Sequence, residues 1–99
     1  MRAVLHQDIV SLATCLMEQP VDERVPFAAL QIKLAHAADR YRSRFGKAHT
    51  VYGNGTLASC CAKQQRSVEK RLDDTEYADC MIKALEAVVE FRNEHKIVF

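Results

Sequence analysis

Residues 35–58 read A-H-A-A-D-R-Y-R-S-R-F-G-K-A-H-T-V-Y-G-N-G-T-L-A, and they hold a helix end, a break and a helix start. Arg42 and Arg44 fall in a last helical turn, where cations suit the negative end of the helix dipole. Gly46 follows at the position that favours a left-handed cap. Gly53-Asn54-Gly55 then asks for backbone angles that β-branched residues resist, and Thr56 offers an N-cap oxygen to a new helix. All three glycines of the chain lie in this stretch, so the flanking segments are free to be regular.

Towards the N-terminus, Phe27, Leu30, Leu34, Ala37, Ala38, Tyr41 and Phe45 recur at spacings of three and four. That period predicts a helix from Val25 to Phe45, with Pro26 in the first turn, where its missing N–H costs nothing. Lys33, His36, Arg40, Arg44 and Lys47 form a second row beside it, expected to be solvated. Further back, Ile9, Leu12, Ala13, Leu16 and Met17 predict a helix from about Asp8 to Glu18 with one wet face, stopped by Pro20. Asp8 would favour the positive end of that helix dipole.

Towards the C-terminus, Leu57, Cys60 and Cys61 would turn inward on a short helix from Leu57 to about Gln65. Lys63–Arg71 is polar and basic and reads as a connection. Asp73, Asp74 and Thr75 offer N-cap oxygens, with Glu76 placed for a capping box with Asp73. The last helix is expected over Thr75–Glu94, with Tyr77, Cys80, Met81, Ala84, Leu85, Val88 and Phe91 inward. Strand alternation and repeats are absent from the sequence. The expected fold is a single all-α domain over residues 1–99, a small bundle of four helices with the third one short.

Nearly half of the 99 residues are apolar and 27% are charged, which suits a globular domain over a disordered chain. No apolar run approaches the ~18–20 residues that span a bilayer, and His6, Gln7 and Asp8 interrupt any signal-peptide core. The expectation is a cytoplasmic protein with no membrane partner. Cys15, Cys60, Cys61 and Cys80 show no C-x-x-C spacing and read as buried core thiols. Charge is distributed unevenly. Residues 1–39 carry three basic and five acidic side chains, residues 40–71 eight and one, and residues 72–99 three and seven, giving net charges of −2, +7 and −4.

Several motifs recur together: H-x-D at His6–Asp8, A-x-x-A-D-R-Y-R-x-x-x-G-x-x-H from Ala35 to His49, G-x-G-[ST]-L from Gly53 to Leu57, and L-D-D-x-x-Y-x-x-C from Leu72 to Cys80. In these the chain resembles a small family of bacterial proteins of about this length, associated with alphaproteobacteria and without an assigned function. That family's pattern has Trp where this chain has Tyr52 and Pro where it has Thr50. The resemblance implies no activity, cofactor or site residue.

Four chemistries suggest themselves. Gly53, Asn54, Gly55 and Thr56 opening a helix, with Arg40, Arg44, Lys47 and His49 around them, suit an anionic group. The basic segment 40–71, with two tyrosines, would suit nucleic acid through counterion release, though the acidic ends oppose it. His36 and Asp39, with His6 and Asp8, fall short of the pattern a closed metal site needs, so no metal is expected. Cys60 or Cys61 with His49 could make an activated thiolate, but nothing fixes a third partner, and no catalysis is expected. Asp39 and Arg40 are instead expected to hold the loop that follows them. Ile82, Val89, Ile97, Val98 and Phe99 exceed what one small bundle covers and form an expected interface. The leading expectation is therefore a non-enzymatic helical interaction module, a homodimer or the binder of another protein. The alternative is an anion- or nucleic-acid-binding protein using residues 40–71.

Overall fold

The computed structural model describes residues 1–95. In it helix α1 spans His6–Leu16, α2 Arg24–Phe45, α3 Leu57–Cys61 and α4 Thr75–Glu94, with one 3-10 turn at Val21–Glu23. The fold is the expected all-α bundle, and no strand occurs among the described residues.

The helix ends follow local chemistry. Gly46 caps α2 in the left-handed region at φ 71°, its N–H donating to the Arg42 carbonyl at 2.7 Å. The Thr56 hydroxyl accepts the Ser59 amide at 3.1 Å to open α3. At α4 the cap is Asp74, which accepts the Tyr77 amide at 3.0 Å. Glu76 does not close a capping box with Asp73. Its carboxylate instead receives the Arg24 guanidinium at 2.7 Å, and Arg24 Nε donates to the Gln19 carbonyl at 3.1 Å. One buried arginine thus ties the start of α2 to the start of α4 and to the turn before it.

That tie, and the contact of His36 on α2 with Phe91 on α4 and with His95 at its C-cap, show α2 and α4 running parallel. The backbone of Arg2 accepts from the Arg92 guanidinium at 3.4 Å, which brings the entry to α1 beside the end of α4, so α1 runs antiparallel to α4.

Two faces differ from the periodicity reading. Asp8 to Leu16 are all buried, so α1 has no wet face and stands at the centre of the bundle. Its polar residues Ser11 and Thr14 are covered by the connection after α3. There the Ser67 amide donates to the Thr14 carbonyl at 3.0 Å, and the Ser67 hydroxyl donates to Glu18. On α2 the buried row is Ala28, Gln31, Ile32, Ala35 and Ala38, while Leu30 and Phe45 are exposed. Periodicity weighs bulky residues. Here alanines make the innermost contact because small side chains let helix axes approach closely. α3 also ends at Cys61, four residues before Gln65, where the chain turns to cover α1.

Candidate functional site

The break between α2 and α3 is a packed loop in which most amides are used internally. His49 and Gly53 exchange backbone hydrogen bonds at 2.8 and 3.1 Å. His49 Nδ1 accepts the amides of Val51 and Tyr52, both at 3.0 Å. Asn54 N donates to Ser59 Oγ at 3.2 Å, and Thr56 N to Asn54 Oδ1 at 3.0 Å. A Cβ on Gly53 would fall 2.2 Å from Ser59 Oγ, and one on Gly55 would fall 2.8 Å from Asp39 Cα. Both glycines hold positive φ and are buried.

This loop is the one expected to cradle an anion at Gly53, Asn54, Gly55 and Thr56. Three of those four amides already have partners inside the loop, so they do not converge on a ligand. His49 is likewise spent on the loop backbone. Arg40, Arg44 and Lys47 remain exposed. Arg40 and Arg44 line a shallow depression with Ala37, Tyr41 and Ser43 on the outer side of α2.

Aromatic rings continue from that depression. Tyr41 meets Phe45 at 4.6 Å between centroids and His49 edge-on at 4.8 Å, and His49 stacks on Tyr52 at 4.6 Å with only 6° between planes. The Arg44 guanidinium stands 5.5 Å from the Phe45 ring centre.

Asp39 touches the loop differently from the expectation. Its backbone packs against Gly55, while its carboxylate lies 3.4 Å from the Met1 amino group. The helix that follows the loop is held by Asp8, a residue read from sequence as a helix-dipole partner and as a member of an incomplete metal set. Buried Asp8 accepts the Leu5 amide at 2.7 Å and the Ala58 amide at 2.9 Å, joining the starts of α1 and α3.

The candidate metal and thiol groups are not brought together. Asp8 serves backbone amides, His36 receives the Met1 amino group, and His6 is exposed. Among the described residues no group of three His, Cys, Asp or Glu side chains could hold a metal ion. Cys60 and Cys61 are buried, with Cys60 Sγ 3.5 Å from Gln31 Oε1. Burial raises the Cys60 thiol above its ordinary range, and contact with Cys15 followed by burial raises Cys61.

His36 sits in a cluster with Phe91 and His95, whose rings stack at 4.1 Å. Burial lowers its pKa below the ordinary value; the Met1 amino group, His95 and Arg40 add to the effect, and Asp39 opposes it. The unfolded chain therefore takes up this proton more readily than the folded one. The associated stability is complete above the unfolded value of about 6.5 and is lost as pH falls from there towards the folded value. Urea midpoints taken above and below that window should drop on acidification, and drop less in His36→Gln. A parallel fall in parent and variant would assign the acid sensitivity elsewhere.

The second candidate surface is the outer side of α4. Ile82 (53% exposed), Leu85 (49%) and Val89 (56%) make one stripe, with Glu86 and Glu90 beside it. Leu85 was expected inward; Met81, Ala84, Val88 and Phe91 suffice to seat α4. Ile97, Val98 and Phe99 lie outside the described residues. No described helix is long and apolar enough to cross a membrane.

A family described as a domain of unknown function, DUF7742, matches over residues 2–88. No curated protein and no solved structure matches.

Proposed function

The chain belongs to the DUF7742 family, and on that premise we propose that it is a non-enzymatic interaction module that pairs with a second copy of itself through α4. Support comes first from the stripe of Ile82, Leu85 and Val89, three large apolar side chains about half exposed on one helix face. Scattered apolar residues are ordinary on a surface, but a contiguous stripe marks an interface.

A second copy suits the stripe because the stripe is complementary to itself. In an antiparallel pair of α4 helices with a two-fold axis near Leu85, Ile82 of one copy lies across from Val89 of the other. The same register sets Asp79 across from Arg92, opposite charges at both ends of the contact. Symmetric dimers use one patch twice in this way. Six half-exposed side chains at ~90 Å² each contribute roughly 13 kcal/mol gross at ~25 cal/mol per Å². Association costs about 4–15 kcal/mol, so micromolar pairing, worth about 8 kcal/mol net, requires a cost near the lower end of that range.

A binding role also fits the interior. The titratable groups weighed for chemistry are committed to structure: Asp8 to two amides, His49 to its loop, and the thiols to the core. Four free, buried cysteines suit a reducing compartment such as the cytoplasm.

Val89→Glu tests the surface. A carboxylate at this end of the stripe would face Ile82 of the other copy, with Glu86 of that copy one helical turn away. The variant should sediment as a monomer of 11.2 kDa at concentrations where the parent pairs. Its unfolding at high dilution should match the parent, because Val89 is half exposed in the single chain. A Val89→Glu protein that pairs as the parent does would remove α4 from the interface.

A further inference from the structure

We infer that the end of α2 and the loop after it bind single-stranded nucleic acid, with Phe45 and Tyr52 stacking bases and Arg40, Arg44 and Lys47 holding phosphates.

Position comes first. His95, the residue that caps the end of α4, packs against His36, and α2 runs on from Ala37 to Phe45. Those residues extend roughly 13 Å further along the helix axis. The acidic side chains near the end of α4 lie behind this point, since Glu90 and Glu94 share a groove with Lys33. Among the described residues, Arg40, Arg44 and Lys47 are therefore paired with no carboxylate of α4. The nearest carboxylate in sequence, Asp39, faces the Met1 amino group. From Arg40 to Val68 the sequence has no acidic residue, and none lines the depression of Arg40, Tyr41, Ser43 and Arg44.

The remaining positive charge of the basic segment stands elsewhere. Ser67 bonds to Thr14 near the end of α1, whereas Ala58 bonds to Asp8 near its start. The arginines of α2 and the basic residues around Arg66 thus sit at opposite ends of α1. Two small sites of like charge replace the single broad one that the sequence suggested.

Chemistry comes second. Phe45 is 55% exposed, and Arg44 stands over its ring. Tyr41, Phe45, His49 and Tyr52 form a chain of ring contacts at 4.6–4.8 Å, so exposed Phe45 and half-buried Tyr52 are braced by their neighbours. The loop below them is fixed by its own hydrogen bonds. A rigid aromatic ledge beside guanidinium groups is the arrangement that holds unpaired bases by stacking and their phosphates by charge. Duplex DNA keeps its bases stacked inside and would use only the charge.

Fluorescence anisotropy with a labelled oligothymidylate of about 12 nucleotides tests this on the full chain. Binding should be micromolar at low salt, with a log–log salt slope of about −2 for three neutralised phosphates. Phe45→Ala should weaken it about 5- to 150-fold, the loss of one stacked base. Arg44→Ala should reduce the slope by about 0.7. Both side chains are exposed, so unchanged thermal unfolding shows that each variant folds. Arg66→Ala, at the other end of α1, should bind as the parent does. Four results would overturn the inference: no binding at low salt, loss on Arg66→Ala in place of Arg44→Ala, affinity untouched by Phe45→Ala, or equal competition by a polyglutamate of matched charge.

Discussion

Replacing Asp8 with alanine should destabilise the protein by about 2–4 kcal/mol, a large fraction of the roughly 5–15 kcal/mol that a domain of this kind has in total. The carboxylate is buried and accepts two backbone amides, Leu5 at the start of α1 and Ala58 in the first turn of α3. Alanine leaves both donors without their partner in part-buried positions, and each orphaned amide carries a share of its desolvation cost. Asparagine keeps one acceptor oxygen and should lose about half as much, since its amide offers hydrogens where the site supplies only donors. Urea unfolding of the parent, Asp8→Asn and Asp8→Ala should give that order. Equal stability of all three would mean that α1 and α3 are held by packing alone.

Gly55→Ala should cost a comparable amount, roughly 2–5 kcal/mol, for two separable reasons. Its φ of +100° is unfavourable for any side chain, and the new methyl would sit 2.8 Å from the Asp39 Cα. That backbone atom belongs to the long helix α2 and cannot turn aside as a flexible side chain could. The loop would have to lift, and the Gly55 carbonyl would leave the Arg2 amide it accepts at 3.2 Å. Gly46 supplies the control. Its φ is +71°, but nothing lies within 4 Å of the added atom, so Gly46→Ala should show only the backbone cost of about 1–2 kcal/mol. If the two substitutions prove equal, the close approach of loop to helix does not contribute.

The sequence was informative where a residue's partner is near it in the chain. Gly46, Thr56 and Asp74 act within one helical turn, and their roles follow from residue type and spacing. Ile82 and Val89 were legible as surplus, because apolar residues on α4 exceed what one neighbouring face covers. The rest depends on contacts that sequence does not order. Asp8 meets Ala58 fifty positions away, so nothing local separates it from any acidic residue in a first turn. The wet face of α1 disappears because a segment read as a connection folds over Ser11 and Thr14. Inward rotation of α2 onto its alanines, and outward placement of Leu85, follow from how three helices share one small core. The amides behind the expected anion cradle show the same limit. Glycines predicted the shape of the loop correctly, but its amides turned inward to His49, Asn54 and Ser59.

The central claim is that α4 covers its apolar stripe with a second copy of the chain. Light scattering on the parent protein at about 50 µM, well above a micromolar dissociation constant, measures this directly. The expected mass is twice 11.2 kDa, falling towards 11.2 kDa on dilution. A mass of 11.2 kDa at that concentration, unchanged by dilution, would contradict it.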